Sequence, residues 1–400
     1  MTSPPAIRVE MLDAGCGDAL IVTLHTPLPP YRATGDGRDH VIVVDTGPPT
    51  REVRDRLAHR LRQIPLGPDR RRRTDLLVIT HIDADHIGNA VDLLTDTDLN
   101  WRPDQVWFNG KPQLDALPHR TTQPGLQQAT KSVGQADDLT RALTALQIPV
   151  NTPWAGGPAM LPRGTHHWRI PWPDTAPNAP QITLLGPGHD DLDTLARHWD
   201  RVIADAQRDA VMPDTPRSIR ADQRPPIDVD VLRRAPYRDD TSPANRSSIV
   251  FLVEHRGRGL LLTGDAHAEG YLRRLTHLRD ARNSNPPRID AIKLSHHGSD
   301  RNTPTSIRNL QASHYLISSD GTRYHHPDDT AIARTIPPNT DATAPPPPVA
   351  TYWFTAANAI TMRWRNLPGP YTISTRYPDA TGAMAILDLT PAPDETTVRS

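Results

Sequence analysis

Residues 80–89 read THIDADHIGN, which places His81, Asp83, Asp85 and His86 within six positions, directly after the apolar run DLLVI. Four ionisable side chains at the mouth of a buried strand repel one another and lose hydration, so something positive has to sit among them. A divalent cation is the simplest such partner. The strand must then end at an edge or crevice where further donors can be brought in, and few folds provide that.

The rest of the chain supplies strands of the same kind. Short β-branched stretches bounded by Gly, Asp or Pro predict buried strands at 6–12, 19–24, 40–46 and 75–80. Between them, 51–64 carries Val53, Leu57, Leu61 and Ile64 at helical spacing, and another helix opens near Gly88. Strands and helices alternate, as in an α/β protein. Beyond residue 112 a helix is predicted at 137–146, a strand at 181–186 and a helix at 192–207, separated by proline-rich loops. Residues 212–240 read as a polar surface insertion to which no chemistry is assigned. SSIVFLVEH, the turn RGRG and LLLTGD make a β-hairpin ending on Asp265, and 291–295 and 314–319 are two more strands, each delivering a polar cluster. After a PPPP run, TYWF and AMAILDL predict edge strands. The 400 residues are read as a single domain, 1–400, with 188–243 inserted within it.

Composition narrows the partners. A net charge of -1 provides no global positive field, so a site for a polyanion has to be local. Cys16 is the only cysteine, which rules out an internal disulfide and a Cys-ligated zinc cluster and fits a reducing cytoplasm. No signal-peptide pattern opens the chain and no run approaches the roughly 18 apolar residues of a membrane span, so a soluble cytoplasmic protein without a membrane partner is expected. The four arginines at 70–73 could engage phosphates. They precede the 75–80 strand, at the end opposite the HIDADH cluster, and are read as a solvated loop.

Four strand ends now present ligand-type side chains: His81, Asp83, Asp85 and His86 after the first, Asp265 in LLTGDA, His296 and His297 in LSHHGS, and His326 in YHHP. Open α/β sheets place ligands where strand ends converge. Imidazole nitrogens and carboxylate oxygens hold a divalent cation without redox chemistry and leave a position for water, whose pKa falls toward neutrality. The donors suffice for two ions, roughly 3.5–4 Å apart, with Asp265 as the bridge. A charged helix start, its aspartates favoured by the helix dipole, would account for HIDADH alone but not for the later clusters.

In order along the chain, DAGCGDAL (13–20), VDTG (44–47), THIDADHIGN (80–89), NRSSIVFLVEHRGRGLLLTGDA (245–266), KLSHHGS (293–299) and ISSDGTRYHHP (317–327) resemble the metallo-β-lactamase superfamily. Within it they are most similar to the hydrolase domain of the ComEC competence proteins and its stand-alone relatives. The resemblance implies an αββα sandwich, two mixed sheets face to face with helices outside and the metal site along one edge. It implies that His81 and Asp83 serve one ion, Asp85 and His86 the other, and Asp265 both, with His296 and His326 completing the set. The doublet leaves His297 able to replace His296 as ligand, the second ring otherwise orienting or contacting substrate. Catalysis is assigned to Asp85, Asp265 and His297.

Two departures stand out. Asp83 occupies the second position of the usual HxHxDH, and the later histidine of a GHTxG segment is replaced near 245–247. A more oxygen-rich donor set makes Mn²⁺ or Mg²⁺ a rival to Zn²⁺ for the two divalent ions. Asp45 is expected to steady a metal-bound histidine or loop. Gly15, Gly17, Gly47 and Gly264 are expected to permit tight turns or close backbone approach, and Cys16 to act as a small packing residue. Lys293, Ser295 and Ser299 stand where a phosphate could be met, although a solvated loop explains them more simply.

The function implied is a metal-dependent hydrolase cleaving phosphodiesters, with DNA as the favoured nucleic acid substrate, by attack of metal-bound hydroxide. A nuclease effector in defence against phage, restrained by a regulatory partner protein, would be one form of it. Two other readings stay open: hydrolysis of a small ester, lactone or lactam on the same fold, and a non-catalytic regulatory module with a degenerate metal site.

Overall fold

The computed structural model describes residues 4–26, 39–117, 134–171, 179–211, 224–337, 349–367, 371–378 and 384–392. Six strands form one sheet in the spatial order Met384–Leu389, Ile7–Leu12, Leu20–Leu24, His40–Val44, Leu76–Val78 and Val106–Trp107. The first four are antiparallel neighbours, and the last two run parallel to His40–Val44. Eight strands form the second sheet: Ser374–Arg376, Thr351–Phe354, His314–Ile317, Ala291–Lys293, Arg258–Leu262, Val250–His255, Gln181–Gly186 and Trp168–Ile170. Its first five are parallel and the remaining three join antiparallel.

The two-residue period of a strand sorts side chains into layers. Leu20 and Val22 meet Phe251, Val253, Leu260 and Leu262 in a core between the sheets. Ile21 points the other way, with Val43 and Leu77, into a layer containing Leu57 and Leu61 of the helix Arg51–Leu61, Leu139 of Gln135–Ala145 and Leu195 of His189–Val211. On the far side Leu252, Leu261 and Ile292 pack against Tyr271, Leu275 and Leu278 of the helix Ala268–Arg282. The order is therefore helix, sheet, sheet, helix, the αββα arrangement of the metallo-β-lactamase fold. Strands covered on both faces read as nearly continuous apolar runs, which is why LIVTL and HVIVV lack alternation.

Several local expectations change. The helix expected at 51–64 ends at Leu61, and its first turn is capped by the Thr50 hydroxyl, which accepts from the Val53 amide. The helix expected near Gly88 is two pieces, Ala84–Ile87 and Ala90–Thr95. Segment 224–240 is not a loose surface insertion. Arg224 donates to the carbonyls of His325 and Pro327, Arg233 donates to that of Ile336, and Val229 is buried in the outer core. Residues 212–223 of that insertion, and the PPPP run, lie outside the described residues. TYWF is not an edge strand, because Ser374–Arg376 pairs outside it; AMAILDL does give an edge, antiparallel to Ile7–Leu12. Of the arginine run, Arg73 is held by Asp69 and Asp104 at 2.7 and 2.9 Å, at the end of the strand away from His81. Among the described residues no helix is long and apolar enough to cross a membrane.

Candidate metal centre

Strand Leu76–Val78 runs out at Thr80, beside the end of its parallel neighbour His40–Val44. Asp45 follows that neighbour at a φ of 58° and turns a fully buried carboxylate back across the gap. The carboxylate accepts from the Thr80 amide and hydroxyl, each at 2.7 Å, and sits 2.8 Å from His86 Nδ1. Holding Nδ1 in this way leaves the Nε2 lone pair of His86 aimed at the site. Asp83 occupies the cap position of Ala84–Ile87 but makes no capping bond; its carboxylate lies 3.4 Å from His81 Nε2 instead. The charged-helix-start explanation therefore fails for this residue. Gly17 passes so close that a Cβ there would stand 2.2 Å from the Asp85 carbonyl oxygen, and only glycine allows that approach.

The second sheet delivers the other donors. Strand Arg258–Leu262 leads to Asp265, and strand Ala291–Lys293 to the His296 and His297 doublet. Both histidines are left-handed, with φ of 50° and 54°, a conformation costing about 1–3 kcal/mol at each non-glycine position. This strained turn sends both rings toward Asp265. Its Oδ2 lies 3.8 Å from His81 Nε2, 3.3 Å from His86 Nε2, 3.9 Å from His296 Nε2 and 3.5 Å from His297 Nε2. Four imidazoles thus present the same nitrogen to one carboxylate oxygen.

The donors fall into two sets around that oxygen. In the tighter one, His297 Nε2 is 3.2 Å from Asp85 Oδ2 and 3.3 Å from His86 Nε2, and His86 Nε2 is 3.9 Å from Asp85 Oδ2. Tetrahedral ligands at roughly 2.0–2.2 Å from a metal stand roughly 3.4 Å from one another, so Asp85, His86, His297 and Asp265 match a four-ligand cage. The looser set is His81, Asp83, His296 and Asp265, in which His81 lies 3.4 Å from Asp83 and 3.8 Å from Asp265, and His296 3.9 Å from Asp265. Within it Asp83 and His296 are half-buried, at 31% and 26% exposed. His81 Nε2 and Asp265 Oδ1 are buried with no hydrogen-bond partner, which is the condition a bound cation relieves.

Electrostatics agree. Burial pushes the Asp265 carboxyl up, but the His86, His297 and His296 imidazoles outweigh it and hold the group well below the usual carboxylate range. Asp85, also opposed by burial, is drawn down to about 2 by His86 and His297. Burial lowers the His297 pKa while the Asp265 and Asp18 carboxylates raise it, and the net result is about 9. His86 is likewise raised well above its ordinary value, by Asp265, Asp45 and Asp85 acting against burial. A pocket that draws protons onto its imidazoles in this way is one that cations compete to enter.

Behind the donors stand residues that sequence reasoning passed over. Asp18 Oδ1 lies 3.2 Å from His297 Nδ1 and accepts from the Ser318 hydroxyl. Asp18, His86, Asp265 and His297 form one compact buried group. Asn302 Oδ1 is 3.1 Å from His296 Nδ1, and Asp240 Oδ2 binds the side-chain amides of Asn245 and Asn302. Asp18 lay within DAGCGDAL, so its signal was present; Asp240 sits in the stretch to which no chemistry was assigned.

Other expectations are corrected. His326 approaches Asp328, at 3.2 Å, and packs edge-on against the His296 ring with centroids 5.1 Å apart. It lies behind the His296 ring and is not among Asp18, His86, Asp265 and His297, the compact group of donors. Lys293, Ser295 and Ser299 are buried, neither solvated nor open to a phosphate. Ser295 donates to the Ala266 carbonyl. Cys16 is buried.

Comparison with known proteins gives three similarities. The family model described as the metallo-beta-lactamase superfamily matches residues 34–157, a span that includes Asp45 and the HIDADH segment. ComE operon protein 3 of Bacillus subtilis (strain 168) is 34% identical over 101 residues, which is 24% of this chain but only 12% of that protein. Among solved structures, the metallo-beta-lactamase fold protein YhfI from Bacillus subtilis aligns with a TM-score of 0.36 and 8% identity, covering 82% of this chain and 93% of that one. Residues 34–157 thus match the metallo-beta-lactamase superfamily, and the two-sheet architecture and the donor cluster outside that segment are those of the same fold, with a stretch similar to ComE operon protein 3.

Proposed function

We propose that the chain is a two-ion hydrolase of phosphodiesters, with DNA as its substrate. The observation that carries this reading is the convergence of four imidazole Nε2 atoms on Asp265 Oδ2. His81, Asp83, His296 and Asp265 would hold one ion, and Asp85, His86, His297 and Asp265 the other. When bound, such a pair polarises phosphoryl oxygens and makes water acidic enough to attack at neutral pH. The protein's own share is positional: Asp45 and Asp18 fix two rings from behind, the buried Asp85, His86 and His297 keep bulk water from one side, and the half-buried Asp83 and His296 mark the side from which substrate arrives.

A polyanion needs a local positive surface, and one lies nearby. A cleft of about 740 Å³ is lined by Arg163, Arg197, Arg273 and Arg274 together with Asp190 and Asp193, Arg197 being paired with Asp193 and Arg274 with Asp191, so that the arginines outnumber the acids. It shares Asp190, Arg273 and Arg274 with a second cavity of about 230 Å³ that reaches Ser248 and Ala266, beside Asp265. The resemblance to the ComEC hydrolase domain supports the same substrate class.

The test is nicking of supercoiled plasmid by chain stripped of metal and reloaded with Mn²⁺ or Zn²⁺. Two bound ions with nicking, abolished in a folded Asp265→Ala variant and weakened in KM by Arg273→Glu, are expected. Turnover of esters or lactones without nicking would establish the small-molecule reading instead. A chain that binds no ions would be a regulatory module.

A further inference from the structure

Lys293 is 1% exposed, and lysine is almost never buried that deeply without a partner. Its Nζ lies 2.9 Å from Asp18 Oδ2 and donates to the Leu294 carbonyl at 3.0 Å. Asp18 is equally buried, and its other oxygen faces His297 Nδ1 at 3.2 Å while accepting from Ser318. The far nitrogen of the same ring faces Asp85 and Asp265. Lys293, Asp18 and His297 therefore form an unbroken line from the interior of the second sheet to the tighter donor set.

The charge distribution gives this line a purpose. Asp18, Asp45, Asp83, Asp85 and Asp265 crowd one small volume. Among the described residues Lys293 is the only lysine or arginine within ion-pair reach of any of them. Without it, Asp18 would be one more uncompensated carboxylate, free to pull on His86, whose Nδ1 is 4.0 Å away. With it, one Asp18 oxygen is held by Lys293 while the other faces His297 Nδ1, which leaves Nε2 as the ring's metal-facing atom. Burial keeps Lys293 from touching substrate.

We infer that Lys293 is a positioning residue, acting through Asp18 and Ser318 on His297, that sets the strength of the Asp85, His86 and His297 ion position and not that of the His81 and Asp83 position. This rests on the two-ion reading above. The test is competition against a chromophoric chelator for Zn²⁺ or Mn²⁺ in metal-stripped full-length chain, which yields two dissociation constants, together with urea unfolding of the same samples.

Lys293→Met and Asp18→Asn should each weaken one ion position by about 10- to 100-fold and leave the other within about twofold, and the double variant should be no weaker than either single one. Should Lys293→Met fail to fold, Asp18→Asn and Ser318→Ala carry the test, because each keeps the volume of the side chain. A lowered unfolding midpoint with both affinities unchanged, or both reduced equally, would overturn the relay while leaving the two-ion reading intact. A wild-type chain that binds no ion would overturn both.

Discussion

Arg334 is fully buried, yet among the described residues no carboxylate lies within ion-pair distance of it. Its guanidinium donates to four backbone carbonyls, those of Asp300, Thr303, Ala235 and Pro236, at 2.7, 3.0, 3.1 and 3.2 Å, and lies over the Tyr237 ring at 5.4 Å. Arg334→Met keeps the stem and removes every donor. At about 1 kcal/mol for each carbonyl left without a partner, the four together cost about 4 kcal/mol.

The damage should also be directional. The two loops joined by Arg334 carry Asn302 and Asp240, which stand behind His296, whereas His297 is supported by Asp18 and Ser318. The variant should therefore lose the His81, Asp83 and His296 ion before the other. Urea unfolding of the metal-stripped chain measures the first effect, and a two-site metal titration the second. A loss below about 1 kcal/mol, or equal weakening of both ion positions, would refute the reasoning.

Asp45→Asn is expected to turn His86 so that a proton sits on its metal-facing nitrogen, lowering metal affinity by about 10- to 100-fold with the circular dichroism spectrum preserved; chelator competition checks it. His255 offers a pH test away from the metals. Burial draws its imidazole from 6.5 to about 4, against the His25 carbonyl that Nε2 meets at 3.0 Å. Between those values the unfolded chain binds a proton that the folded chain refuses, so stability falls as pH falls. Relative to His255→Gln, the wild type should lose about 2–3 kcal/mol between pH 7 and pH 4.5 in urea unfolding, and parallel pH profiles would contradict this.

The fold was legible where burial on both faces produced long apolar runs bounded by turn residues, as in 7–12, 20–24, 181–186 and 250–262. Strands of two or three residues, such as Val106–Trp107 and Ser374–Arg376, leave no period to detect and exist because neighbouring strands recruit them. At the site, HIDADH, Asp265 and the doublet were visible because several ionisable groups share one strand end. Which histidine of the doublet enters the tighter cage was not, since the answer lies in two successive left-handed residues that local propensity disfavours. Asp240 and Asn302 were hidden for another reason: their role depends on loops that tertiary contacts through Arg334 bring together.

The pairing of Met384–Leu389 with Ile7–Leu12 joins strands far apart in the chain; Arg8 and Asp388, which bridge them, are 380 positions apart. During synthesis the open flank of Ile7–Leu12 waits for its neighbour until residue 389 has been added, exposed meanwhile to other nascent strands. Leu387 and Leu389 seal the layer between the sheets last of all. The HIDADH loop is thus translated early, whereas the edge of the sheet that carries it is completed only when the last described strand emerges.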